Sequence, residues 1–145
     1  MRLILQRVSE ASVTVDEEVV GKIGPGLLVL VGIERGDGPA QIKAAADKLA
    51  GLRVFEDDAG KMNLDLAAVG GAFLIVSQFT LAGSIAKGRR PSFDRAAPPD
   101  EAQPLIEALV EDLRSRGFSV ETGRFRAHMK VALVNDGPVT LIADF

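Results

Sequence analysis

Two short stretches place polar groups inside otherwise apolar sequence, and these are where chemistry could be done. Ala72-Phe73-Leu74-Ile75-Val76 reads as a buried strand and runs into Ser77-Gln78-Phe79-Thr80-Leu81, where two hydroxyls and an amide interrupt the apolar residues. Polar groups at a strand end are costly unless satisfied, so they either cap a turn or face a site. The second stretch, Asn135-Asp136-Gly137-Pro138-Val139-Thr140, falls between strand-like runs from Lys130 to Val134 and from Val139 to Phe145. Asp136-Gly137 fits a hairpin signal, and Pro138 adds a fixed φ, a missing donor and the option of a cis peptide. Taken alone, this stretch is best read as a hairpin turn with an edge-strand proline.

Several catalytic machines find no support. A Ser-His-Asp triad would have only His128 to use, and no G-x-S-x-G elbow accompanies it. A lone histidine of this kind reads as a surface or core residue. Phosphate loops and dinucleotide fingerprints are missing. With no cysteine there is no thiolate nucleophile or zinc-thiolate site. The acidic run Glu56-Asp57-Asp58 lacks the alternating ligands of a calcium loop and reads as a solvated turn. Neither a metal nor a cofactor is expected.

What is left is a strand end with Ser77, Gln78 and Thr80, and a turn whose useful groups are main-chain. Such a site suits a reaction needing little acid–base help, such as hydrolysis of an activated ester. The amides around Phe79 and Thr80 are the candidate donors to a developing oxyanion. Thr80 as a nucleophile would need a base, and none is near it in sequence, so its expected role is positioning.

The elements that must hold these stretches are legible from periodicity. Arg2 to Ser9, Ala11 to Val15 and Val19 to Ile23 read as successive short antiparallel strands. Gly24-Pro25-Gly26 turns the chain into Leu27 to Ile33, a central strand covered on both faces. Asp37-Gly38-Pro39 opens a helix whose buried face is Ile42, Ala45, Ala46, Leu49 and Leu52. Val54-Phe55 begins a short strand. A second helix spans about Asp100 to Arg116 with Leu105, Ile106, Leu109, Val110 and Leu113 inward, provided that Pro104 sits in its first turn. Gly117 ends it, and strands from Ser119 and Val131 follow. The pattern is an α+β domain of mostly antiparallel strands with two helices.

At 145 residues and with no linker or repeat, the chain fits one domain, residues 1–145. The apolar run at the N-terminus breaks after Leu5, too short for a signal peptide, and no span reaches membrane length, so a cytoplasmic protein with no membrane partner is expected. A formal net charge of -3 argues against coating nucleic acid by bulk electrostatics, and DNA is not an expected partner. The stretch Ala82 to Pro99 is long and aperiodic, and carries Lys87, Arg89 and Arg90 with Phe93 close by. It reads as either a solvated loop or a local phosphate contact.

Taken together, the Ser77 and Asn135 stretches resemble the two signature motifs of the D-aminoacyl-tRNA deacylases. Gln6-Arg7-Val8, Ile23-Gly24-Pro25-Gly26-Leu27, Gly60-Lys61-Met62-Asn63, Lys87-Gly88-Arg89-Arg90-Pro91-Ser92-Phe93 and Thr122-Gly123-Arg124-Phe125 extend the likeness almost end to end. The resemblance implies barrel-like sheets, a homodimer, and a tRNA partner carrying a D-amino acid. It implies that Gly137-Pro138 is cis and reaches the partner's site, where its carbonyls would hold the substrate's α-ammonium. An L side chain would then be driven into that backbone, whereas a D side chain, or glycine with none, would pass. The ribose 2′-hydroxyl would help the water. Ser77, Gln78 and Met129 would line the substrate pocket, and Lys87, Arg89 and Arg90 would touch the tRNA. The chain departs from the pattern at Gly83-Ser84-Ile85, beside the site, and at Arg126-Ala127-His128-Met129, which adds positive charge near the pocket wall. Two other readings compete: a non-catalytic RNA- or partner-binding module, and an esterase for small D-amino-acid esters.

Overall fold

The computed structural model describes residues 1–145. Its first strand, β1 (Arg2–Val15), is continuous where two strands were expected. The reason lies in which core each half serves. Leu3 and Leu5 enter one apolar cluster, whereas Val8, Ala11, Val13 and Val15 enter another, so the phase of burial changes mid-strand while the backbone stays extended.

A tight turn with Asp16 and Glu17 at φ 48° and 66° leads into β2 (Glu18–Ile23), antiparallel to β1. Paired left-handed residues are what a two-residue hairpin needs if its twist is to match that of its strands. β3 (Gly26–Gly32) also pairs antiparallel with β1, and is buried on both faces as its apolar run requires. Helix α1 (Pro39–Gly51) starts at Pro39 after Gly38, whose N–H donates to the Gln41 side chain at 2.9 Å. Its buried residues are Ile42, Ala45, Ala46 and Leu49.

β4 (Phe55–Glu56) and β5 (Met62–Leu64) form a small separate hairpin. In the acidic turn between them, Asp57 accepts the Ala59 and Lys61 N–H groups at 2.9 and 3.0 Å. Those bonds, the Lys61 one foremost, hold its carboxyl below the usual range.

β6 (Ala72–Ser77) lies parallel to β3, and β7 (Ser119–Thr122) parallel to β6, each reached through a helical crossover. The main sheet is therefore mixed, with three antiparallel pairings and two parallel ones. Gly21 of β2 lies so close to the Thr122 carbonyl of β7 that a Cβ would not fit, and this contact curls the sheet toward a barrel.

Helix α2 (Pro99–Ser115) begins with Pro99 in its first position, so Pro104 falls in the second turn rather than the first. Pro104 is exposed, which leaves the Asp100 carbonyl it cannot bond free to meet water. Ala102, Leu109, Val110 and Leu113 are buried, and Leu105 and Ile106 are half-buried against the core. Gly117, at φ 91°, ends the helix, and the Phe118 N–H donates to the Leu113 carbonyl at 3.2 Å.

β8 (Lys130–Asp144) overturns the hairpin reading of Asn135–Thr140. Both halves of β8 pair with β1, with Val8 opposite Asn135 and Gln6 opposite Thr140. Residues 136–139 thus bulge against Arg7 alone, and the chain continues in its original direction. The outer edge of β8 is unpaired.

Candidate active site

Ser77 ends β6, and its neighbour Gln78 donates its backbone N–H to the Val31 carbonyl at 2.8 Å. Phe79–Ala82 then form one 3₁₀ turn. Gly32 lets this turn lie flat on β3, since a Cβ there would come within 2.8 Å of the Leu81 Cβ. The first N–H groups of a helical turn have no acceptor inside it. No turn or loop carbonyl takes the Phe79 or Thr80 N–H either. The Gln78 amide donates to the Thr80 hydroxyl at 2.5 Å, which fixes both side chains. No histidine or carboxylate bonds to that hydroxyl.

Ser77, Gln78, Phe79 and Met129 converge on one cavity of 540 Å³. The 55%-exposed Phe79 ring packs edge-on against Phe93, centroids 5.1 Å apart, and closes one side. Ala96, Ala97, Pro99, Ala102 and Ile106, from the segment entering α2 and from α2 itself, make a wall that sequence reasoning missed, as it did Phe125 as a lining residue. The signal was faint: a run of small residues, Ala96-Ala97, before a helix start. Gly123 is also needed, because a Cβ there would meet the Met129 sulfur at 2.6 Å.

Arg126 and His128, both exposed, are the only ionisable residues lining the cavity. Thr80, next in the chain to the lining residue Phe79, is not itself in the lining. Lys87, Arg89 and Arg90 are exposed on the loop joining the 3₁₀ turn to Phe93, outside the cavity.

Gly137 and Pro138 do not line this cavity either. Their peptide is cis, and their bulge is tied down by side chains. The Asn135 side-chain Oδ1 accepts the Val139 N–H at 2.8 Å, and its Nδ2 donates to the Thr140 hydroxyl at 2.9 Å. The buried Arg7 guanidinium donates to the Asp136 carbonyl at 2.8 Å and the Val54 carbonyl at 2.7 Å. Gly137 sits at φ 144°, and a Cβ there would approach Val139 at 2.9 Å and Arg7 at 3.0 Å.

The family model described as D-Tyr-tRNA(Tyr) deacylase matches residues 4–144. The chain belongs to the D-Tyr-tRNA(Tyr) deacylase family. Among its deacylase relatives, proteins named D-aminoacyl-tRNA deacylase from Thermomicrobium roseum and Symbiobacterium thermophilum are 60% and 58% identical. The alignments cover 99% of this chain and 94% and 95% of those proteins, respectively. A solved structure named c-Myc DNA Unwinding Element Binding Protein is 37% identical, with a TM-score of 0.93 over 100% of this chain and 99% of that one. Another, described as a probable eukaryotic D-amino acid tRNA deacylase, shares the fold at 19% identity, with a TM-score of 0.86 over 99% of this chain and 98% of that one.

Proposed function

We propose that this protein is an editing hydrolase that cleaves the ester between tRNA and a D-amino acid, or glycine, and rejects the L forms by shape. Family membership supports the hydrolysis itself. The observation that supports the site assignment is that the Phe79 and Thr80 amides, which no turn or loop carbonyl takes, begin the turn following the strand end that lines the cavity with Ser77, Gln78, Phe79 and Met129. Those amides are the donors for the oxyanion, and the cavity orients the terminal nucleoside whose ester is broken. Thr80 positions, because its hydroxyl is bonded to an amide and not to a base. The ribose 2′-hydroxyl then assists the attacking water.

Sorting by handedness is assigned to the Gly137 and Pro138 carbonyls of a second protomer, which would hold the α-ammonium and crowd an L side chain. The absence of this dipeptide from its own cavity is consistent with a role in trans. A homodimer is supported by β8, whose Leu133, Val134, Leu141 and Ile142 are 36%, 50%, 40% and 68% exposed beside an unpaired edge. An apolar edge of that length invites association.

Incubating the protein with D-tyrosyl-, L-tyrosyl- and glycyl-tRNA and counting surviving ester tests the reading. Loss of the D and glycyl esters with the L ester spared is expected. Survival of the D ester would return the protein to the second reading, a non-catalytic nucleic-acid-binding module, which the name of the 37%-identical structure favours. Replacing the terminal 2′-hydroxyl with hydrogen should abolish turnover, whereas Thr80→Ala should retain much of it. The reverse result would make Thr80 a nucleophile.

A further inference from the structure

The cavity lining contains no carboxylate, and its two ionisable members, Arg126 and His128, are both potential cations. Arg126 enters no salt bridge. It is exposed, and it is held at φ 64°, a left-handed conformation that is unfavourable for a side chain of this size. Around it the sequence alternates. Arg124, Arg126, His128 and Lys130 are exposed, while Phe125, Ala127 and Met129 between them are half-buried and line the cavity.

The ends of this basic row face acids. Glu107 and Glu111 share a neighbouring hollow with Arg124, and Asp16 and Glu17 share another with His128 and Lys130. Arg126 lines the cavity and, unlike the other three, shares neither of these acidic hollows.

We propose that Arg126, seconded by His128, is a phosphate-binding lip that grips the phosphodiester preceding the terminal nucleoside of the RNA seated in the cavity. This rests on the editing-hydrolase reading. A guanidinium that offers a planar fork of donors to a phosphate, beside a pocket for an apolar ring, fits a nucleotide better than it fits a free amino acid. Arg124, partly offset by its acids, contributes less.

Michaelis kinetics of D-tyrosyl-tRNA cleavage between about 50 and 200 mM salt test the lip, since each phosphate contact adds about 0.7 to the salt slope of a single-stranded segment. Arg126→Gln should raise KM about tenfold and flatten the slope of log KM against log salt by about 0.7. Arg126→Lys, which keeps the charge, should restore the slope, and Arg124→Gln should change it less. On 3′-D-tyrosyl-adenosine, which has no phosphate, the wild-type KM should be nearly independent of salt. A wild-type protein that leaves D-tyrosyl-tRNA intact would defeat the hydrolase reading itself. A wild-type protein that cleaves it, with an Arg126→Gln variant of unchanged KM and slope, or one that loses only kcat and thermal stability, would overturn the lip and leave the hydrolase standing. An equal salt slope on the adenosine ester would overturn it too.

Discussion

The Ser77–Thr80 turn and the Asn135–Thr140 bulge are both polar interruptions of apolar strands, but they are held in different ways. The first rests on the core: Phe73, Leu74, Ile75 and Val76 behind it are all buried, and helix α2 walls its cavity. The second lies on the outermost strand, where Val139 is the only buried residue between Lys130 and Asp144. It keeps its shape through the side chains of Asn135 and Arg7. A motif with almost nothing packed over it and its shape set by side-chain bonds faces outward, which is what the proposed role on a second protomer requires.

The largest test of that contrast is to break the proposed dimer. Ile142→Asp puts a charge on the exposed apolar edge while touching neither the cavity nor the bulge. Sedimentation should then show a monomer, and D-tyrosyl-tRNA cleavage should fall by about a hundredfold, the loss expected when contacts worth about 2.7 kcal/mol in the transition state disappear. A monomer with undiminished turnover would mean that each chain completes its own site.

A smaller effect should come from Arg7→Met, which removes the donors to the Asp136 and Val54 carbonyls from a buried position. Leaving the buried Val54 carbonyl without a charged donor, and the half-buried Asp136 carbonyl with it, costs about 2–3 kcal/mol. It should appear as a lower urea midpoint at constant slope. If Asn135–Thr140 works by its held shape, turnover measured well below that midpoint should also drop, by about tenfold, for a transition-state loss of about 1.4 kcal/mol. Equal activity per folded molecule would reduce Arg7 to a structural role.

The cavity side of this contrast was more legible in sequence than the β8 side. The apolar run of β6 and its polar end announced a strand delivering Ser77 and Gln78, and helical spacing gave the inward faces of both helices. Distant packing hid the rest. That Ala102 and Ile106 of α2 would wall the cavity depends on how the helix crosses the sheet, which no local spacing encodes. The hairpin expected at Gly137-Pro138 failed because Asp-Gly is a local turn signal, whereas β1 is long enough to pair with β8 on both sides of the bulge. The same length explains why the strand expected to break after Ser9 does not.

The smallest predicted effect concerns the far end of β8, where Arg2 and Asp144 pair at 2.7 Å with both side chains exposed. The Arg2 guanidinium, mainly through its hydrogen bond, holds the Asp144 carboxyl below the usual range. A carboxyl depressed on folding stabilises the native state above its ordinary pKa of about 3.9, and that help is lost as pH falls through the folded value. Asp144→Asn should therefore melt slightly lower than the wild-type protein at pH 7, the gap closing in acid and shrinking with added salt. Because the pair is open to solvent, the shift should be well below that of Arg7→Met. If the two variants lost equal stability at pH 7, β8 would be fastened evenly along its length, and the bulge would have no anchor of its own to distinguish it from the rest of the strand.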